Sequence, residues 1–380
     1  MERRSFLLGA GTVALSQLFI SCADNNQATL YVQLLKDSIP GQVVNQFGQV
    51  VHKTQLNFAP VAQLQDLFKQ LQTWQKKTNT TDDKDWRRFI PLAKSKKTTK
   101  ADLVTLGDYW ISVAIKQNLI QPLEVSKLKQ WSSLPQRWQE LGRRNDQGQV
   151  DPQGKVWAVP YRWGSTVIVY RRDKFLQEFN WTPSDWGDLW RKELRDRISL
   201  LDQPREVVGL VLKKLGKSYN TKNLDIPNLE VELQNLNQQV KFYSSDRYLE
   251  PLVTGDTLLA VGWSSDILSI LGHYPQLSVV IPRSGTALWA DMWVRPTGKN
   301  SEDSLYKWID FCLQPRISQQ ISLLTKTNSP SAQVNASDIS ESWQKVLLSN
   351  SEAFEKSEFL LPLPPDTAVQ YESLFAKIKR

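Results

Sequence analysis

Val156-Trp157-Ala158-Val159-Pro160 and Thr166-Val167-Ile168-Val169-Tyr170, separated by five residues, lie near the middle of the 380-residue chain. Both runs are short, apolar and rich in β-branched and aromatic residues, which predicts buried strands. Toward the N-terminus, Leu30-Tyr31-Val32, Val50 to Phe58 and Ala101 to Leu106 read as further strands. A helix from Ile39 to Phe47 and an amphipathic helix carrying Val61, Leu64, Leu67, Phe68, Leu71 and Trp74 separate them. Lys76 to Lys100 is polar and weakly periodic and reads as an insertion or surface loop. Toward the C-terminus, Pro183 to Arg191 reads as a short Trp-rich helix and Arg197 to Leu201 as a strand. Pro204 to Leu215 reads as a helix closed by Gly216, and Leu229 to Val240 as another. Strands follow at Thr257 to Trp263, Leu277 to Ile281 and Trp289 to Val294. Helices from Ser301 to Leu313, on to Leu324 past Pro315, and from Ala368 to Ile378 complete the pattern. Strands alternate with helices throughout, the pattern of an α/β protein with mostly parallel sheets.

The N-terminus carries a different signal. Arg3-Arg4 followed by Phe6-Leu7 looks like a twin-arginine export sequence. The apolar run from Phe6 to Ile20 is shorter than the ~20 residues of a membrane span. Phe19-Ile20-Ser21-Cys22 resembles a lipoprotein cleavage site, so residues 1–22 are expected as a signal peptide and Cys22 as the lipid-bearing residue. The plain alternative is a cleaved signal with Cys22 incidental. Either way the mature protein is expected beyond the cytoplasmic membrane, in the periplasm. With Cys22 acylated, Cys312 has no partner for a disulfide, and its helical apolar surroundings read as core.

Composition narrows the chemistry. The length suits two domains. An apolar fraction of 41% and 15 Trp indicate packed globular structure. A net charge of +8 is spread along the chain apart from Lys94 to Lys100, so nucleic acid is not an expected partner. There are two His, far apart, and no metal-ligand spacing, Gly-rich phosphate loop, G-x-S-x-G or HExxH. No cofactor is expected. Thirty-nine acids leave a carboxylate pair available, with nothing in the spacing to single one out.

Five segments stand in an order that carries more than any one of them. They are Trp157-Ala158-Val159-Pro160-Tyr161-Arg162-Trp163-Gly164, Trp186-Gly187-Asp188-Leu189-Trp190, Leu201-Asp202-Gln203-Pro204-Arg205-Glu206-Val207, Gly262-Trp263-Ser264 and Leu288-Trp289-Ala290-Asp291. Together they resemble the bacterial extracellular solute-binding proteins of spermidine/putrescine (polyamine) ABC transporters. The resemblance implies a two-lobed, type II periplasmic-binding-protein fold, each lobe a mixed sheet flanked by helices, with solute in the cleft between. Its lobes would be residues 23–163 with 286–335, and 164–285 with 336–380, hinged near Pro160–Gly164 and Ala287–Val294. It implies a monomer without a catalytic step, which delivers a small cationic solute such as putrescine or spermidine to a membrane permease and its ATPase.

By the same resemblance, Trp263 and Trp289 would wall an aromatic box and Asp291, two residues on from Trp289 and so on the same strand face, would anchor an ammonium group. Glu206 would supply a second acid, Tyr109 an aromatic contact, and Ser244 or Ser245 a polar one. The chemistry suits the task, since carboxylates neutralise ammonium ends and indole faces cover methylenes and attract the cation. Core packing of the indoles, pairing of Asp291 by Arg295 or another cation, and a turn role for the Ser pair remain open. Four positions depart from the pattern. Leu34-Leu35-Lys36-Asp37-Ser38 has no aromatic residue, a second acidic position falls on Gln203, a Ser position on Gly107 and a polar tail contact on Leu361. One end of the cleft therefore lacks charge, so a smaller solute, one carrying a single ammonium, or one with an anionic end toward Lys36 fits better than a long polycation. The alternatives are a ferric-ion receptor of the same fold and a periplasmic enzyme using Asp291 and Glu206.

Overall fold

The structure is a computed structural model that describes residues 28–79, 99–299, 303–332, 335–347 and 352–379. The expected signal peptide, Cys22 and most of the 76–100 insertion lie outside the described residues.

Three parallel strands open the fold: β1 (Ala28–Leu35), β2 (Thr54–Val61) and β3 (Leu103–Gly107), with β1 between the other two. Helices α1 (Gly41–Val50) and α2 (Leu64–Asn79) connect them. β4 (Ala158–Arg171) is a single 14-residue strand, buried along all but its last residue. The remaining strands of three or more residues are β5 (Ile198–Leu200), β6 (Val240–Tyr243), β7 (Leu259–Trp263), β8 (Leu277–Val280) and β9 (Ala287–Pro296). The sheet runs β2-β1-β3-β9-β4-β7-β5-β6, with β8 also on β4. The flanks are parallel, whereas β9 and β4 pair antiparallel with each other and with their outer neighbours. The sheet is thus mixed, not mostly parallel. Antiparallel pairs form where the chain crosses back over instead of returning through a helix.

Pro160 and Gly164 punctuate β4 without breaking it. The β4–β9 register slips by one residue where Asp291 faces Arg162 and Met292 faces Pro160. This bulge leaves Tyr161 as the extra residue and accommodates a proline, which has no ladder N–H to give. Tyr161 then stacks on Trp293 with ring centroids 4.3 Å apart.

Buried apolar side chains gather into three clusters. One takes in Leu30 to Trp163, Leu288 to Ile321 and Phe359, centred on Phe47, Trp293 and Trp308. The other two draw on residues 167–287, with Ile339 and Val346 in one and Tyr371, Phe375 and Ile378 in the other. Cys312 is fully buried within the first. β4 and β9 pass from one set of clusters to the other, and the side chains on one face of these two strands meet between the sets.

Gly262 on β7 has no room for a side chain, because a Cβ there would enter the Tyr248 ring. Gly262→Ala is expected to cost about 1–3 kcal/mol through overpacking, read as a lower midpoint in urea unfolding with an unchanged slope.

Candidate functional site

Alternation along three neighbouring strands brings the predicted residues to one face. On β4 the residues are Arg162, Gly164 and Thr166, and on β9 they are Trp289 and Asp291. On β7 Trp263 stands opposite Thr166. β3 ends beside them, with Gly107 opposite Asp291, and the chain turns there into α3 (Asp108–Lys116). Gly164 is what lets Trp289 lie across β4, since a Cβ at that position would enter the indole and crowd Ser264.

Glu206 arrives from α4 (Pro204–Lys214), where it occupies the first turn, a position favoured for an acid by the helix dipole. Its two carboxylate oxygens accept from the Thr166 hydroxyl at 3.0 Å each. The residue is buried, and it forms no ion pair among the described residues. Burial pushes its carboxyl up to about 7, against the pull of hydrogen bonds from Thr166 and Trp263 and the charge of Arg205. Arg205 is engaged elsewhere, donating to the Leu361 carbonyl at 3.0 Å and to Asn220 Oδ1 at 3.0 Å. Leu361, where a polar tail contact was expected, therefore supplies only backbone, and its N–H donates to the same Asn220 oxygen at 2.8 Å.

Asp291 sits differently from the expected ammonium anchor. It is 2% exposed, and Arg162 Nε donates to its Oδ2 at 2.6 Å, with Nη2 in ion-pair contact with the same oxygen at 2.6 Å. The pairing cation is Arg162, not Arg295, which donates to the Lys299 carbonyl at 2.8 Å farther along β9. Burial alone would lower the Arg162 value, but the Asp291 carboxylate in contact more than reverses this and keeps the guanidinium charged. Its carbon lies 5.9 Å from the Trp289 ring centroid, within cation–π range.

Two carboxylates join the site that sequence reasoning did not select. Asp108 accepts from the Ala290 N–H at 3.0 Å and is pushed up to about 7 by burial, offset in part by that bond and by Arg144. Asp266, in the first turn after Trp263, accepts from the Tyr248 hydroxyl at 2.9 Å, and the same hydroxyl accepts from the Trp263 N–H at 3.1 Å. An acid just after a buried strand was the available signal for Asp108. Tyr109 is 48% exposed and meets Trp110 edge-on. The Ser244 hydroxyl accepts from the N–H groups of Asp246 and Arg247 at 3.2 and 2.9 Å. It closes a turn, as the plainer reading of that serine had it. The neighbouring Ser245 hydroxyl is buried without a protein partner. Gln203 and Lys36 are exposed.

The family profile described as "Bacterial extracellular solute-binding protein" matches residues 98–357. The chain belongs to this family of bacterial extracellular solute-binding proteins. A spermidine/putrescine-binding periplasmic protein of Salmonella typhimurium is 27% identical to this solute-binding protein over 316 residues, 83% of this chain and 80% of the relative. The putrescine-binding periplasmic protein PotF of Escherichia coli is 27% identical over 241 residues, 59% of this chain and 63% of the relative. Among solved structures, the spermidine/putrescine ABC transporter substrate-binding protein PotD of Streptococcus pneumoniae superposes with a TM-score of 0.76. It shares 20% identity, covering 93% of this chain and 98% of that one. The TpPotD lipoprotein of Treponema pallidum gives 0.67 at 18% identity, covering 92% and 99%. These structures fix the fold of the solute-binding protein as the one expected. The curated relatives are named as binding proteins, and no described helix is long and apolar enough to cross a membrane.

Proposed function

We propose that this solute-binding protein is the receptor component of an ABC importer for a small amine-bearing solute. The observation that carries this reading is Glu206, a buried carboxylate held by a hydroxyl and an indole, with no cation in contact among the described residues. A buried anion is stable when a counter-charge completes it, and an ammonium group between Trp263 and Trp289 supplies both charge and cation–π contact. The naming of the relatives as polyamine binders supports the same solute class. Tyr109, exposed at the start of α3, is a contact from the other side of the cleft. Residues 23–163 with 286–335 form one lobe, and 164–285 with 336–380 the other. β4 and β9 are the hinge, and closure on solute makes the form that docks on a permease and its ATPase. Cys22 is the lipid attachment after twin-arginine export, and the receptor works as a monomer. The rival enzyme built on Asp291 and Glu206 gains no support, because one of its two acids is held by Arg162.

Calorimetry with a panel of amines and uncharged analogues tests the reading. Saturable binding confined to amines is expected, whereas binding of the uncharged analogues alone refutes it. The pH dependence follows from the sign of the shift. The folded Glu206 carboxyl titrates near 7 and the free one near 4.5, so the folded state holds the extra proton between these values. Stability of the empty protein is expected to fall as pH rises through that window, as it is for Asp108. Amine affinity changes in the opposite direction. It weakens by up to about tenfold per pH unit below 7, because the cation must displace the proton. Titrations in buffers of different ionisation enthalpy read that proton directly.

A further inference from the structure

Charge on the site face can be followed group by group. Asp108 lies in the field of Arg144, and Asp291 is in contact with Arg162. Glu206 lies in the field of Arg205. Asp266 shares Arg162 with Asp291 and has only the neutral Tyr248 and Ser265 as hydrogen-bond partners. Among the described residues Asp291 is the one of these four carboxylates in contact with a guanidinium, and Asp108, Glu206 and Asp266 form no ion pair.

Arg162 supplies the counter-charge of Asp291 from within the chain. The β4 bulge at Tyr161 sets its register opposite Asp291. It is 7% exposed, between the Trp289 ring and Asp291. Nε donates to Asp291 Oδ2, and Nη2 lies in ion-pair contact with the same oxygen.

We propose that Arg162 is a built-in counter-cation that occupies the place of one solute ammonium and restricts this receptor to solutes bearing a single ammonium group. The inference rests on the amine-receptor reading above and narrows its solute class. A solute ammonium that reached Asp291 would have to displace a guanidinium tethered beside it, at an effective concentration on the millimolar scale or higher. The displaced Arg162 would then be a buried charge without its partner, which is strongly unfavourable. A second ammonium that stopped short would meet a pair already neutralised within the chain and find no counter-charge to offset its desolvation, an unfavourable element that sets specificity. A singly charged solute meets neither obstacle. Its ammonium lies at Glu206, and its far end meets a pair that is already neutral.

Three probes of one chain length separate the outcomes: n-butylamine, 4-aminobutanoate and 1,4-diaminobutane, titrated into the mature protein at pH 8. The wild type is expected to bind at least one of the first two, and at least tenfold more tightly than the diamine. Arg162→Met, checked for folding by circular dichroism, is expected to gain at least tenfold for the diamine. Arg162→Met/Asp291→Leu, which removes both charges together, is expected to keep the wild-type order. A wild type that binds the diamine most tightly overturns the role of Arg162 and leaves the amine receptor standing, whatever the variants do. Failure of all three amines to bind wild type and folded Arg162→Met alike overturns the receptor reading and this inference with it. The wild-type order decides the question even where a variant does not fold.

Discussion

Asp291→Ala is expected to destabilise the empty protein by about 3–5 kcal/mol, as removal of one partner of a buried ion pair does. The cost arises from Arg162. Its guanidinium is buried against the Trp289 ring, and both its Nε hydrogen bond and its Nη2 ion-pair contact end on one Asp291 oxygen 2.6 Å away. Without that oxygen the charge stays, because a guanidinium does not release its proton at any ordinary pH. Asp266, whose carboxylate already feels Arg162, can take up part of the field and sets the lower end of the range. The neighbouring Asp108, relieved of a like charge, gives a little back. The double variant Arg162→Met/Asp291→Leu leaves no orphan and is expected within about 1–2 kcal/mol of wild type or above it, since apolar replacement of a buried pair is often neutral or better. Urea unfolding at pH 7 of the wild type, the single and the double variant measures both. A single variant as stable as wild type would show that Arg162 is free to reach water.

The sequence contained most of the architecture because period-2 and period-3.6 patterns act locally. α4 was expected at Pro204 to Leu215 and is found at Pro204–Lys214, where the proline needs no N–H and Glu206 lies in the first turn. β9 was legible from Trp289 to Val294 and runs Ala287–Pro296. What failed depended on partners distant in the chain. β4 read as two strands because Pro160 and Gly164 look like breakers. They are tolerated there by a bulge in the pairing with β9 and by the Trp289 ring that covers the glycine. β6 went unread, with only Val240 inside the helix expected from Leu229 to Val240 and nothing expected over the next three residues, because its four residues offer little periodicity of their own.

The site shows the same division. Placement of Trp289 and Asp291 on one face followed from alternation alone. Trp263 and Glu206 were brought to mind by resemblance, and the β7 register together with the Thr166 hydroxyl supplies the geometry that unites them. Arg162 is not legible as the partner of Asp291, although it lies in the segment Trp157 to Gly164. Register between antiparallel strands 129 residues apart is not written in either strand. The usable signal was a cation in one apolar run and an anion in another, each too costly to bury alone.

Glu206→Gln is expected to weaken amine binding by about 30-fold to several thousandfold, the 2–5 kcal/mol attached to one member of a desolvated charge pair. The substitution keeps the shape of the side chain and an oxygen for the Thr166 hydroxyl, and removes only the charge. Binding should suffer while folding does not. The empty wild type carries a buried carboxylate that no cation contacts, and its stability declines as pH rises from about 4.5 toward about 7. The glutamine has no proton to lose, so its contribution to that slope disappears and the variant is expected to match or exceed wild-type stability at pH 8. The contrast with Asp291 separates two uses of a buried acid in one cleft. Loss of Asp291 is read in the unfolding curve because its counter-charge belongs to the chain. Loss of Glu206 is read in the titration because its counter-charge arrives with the solute. Calorimetry and urea unfolding on both variants at pH 6 and pH 8 complete the comparison. Undiminished amine affinity in Glu206→Gln would move the ammonium site to another acid on this face, with Asp108 and Asp266 the next to replace.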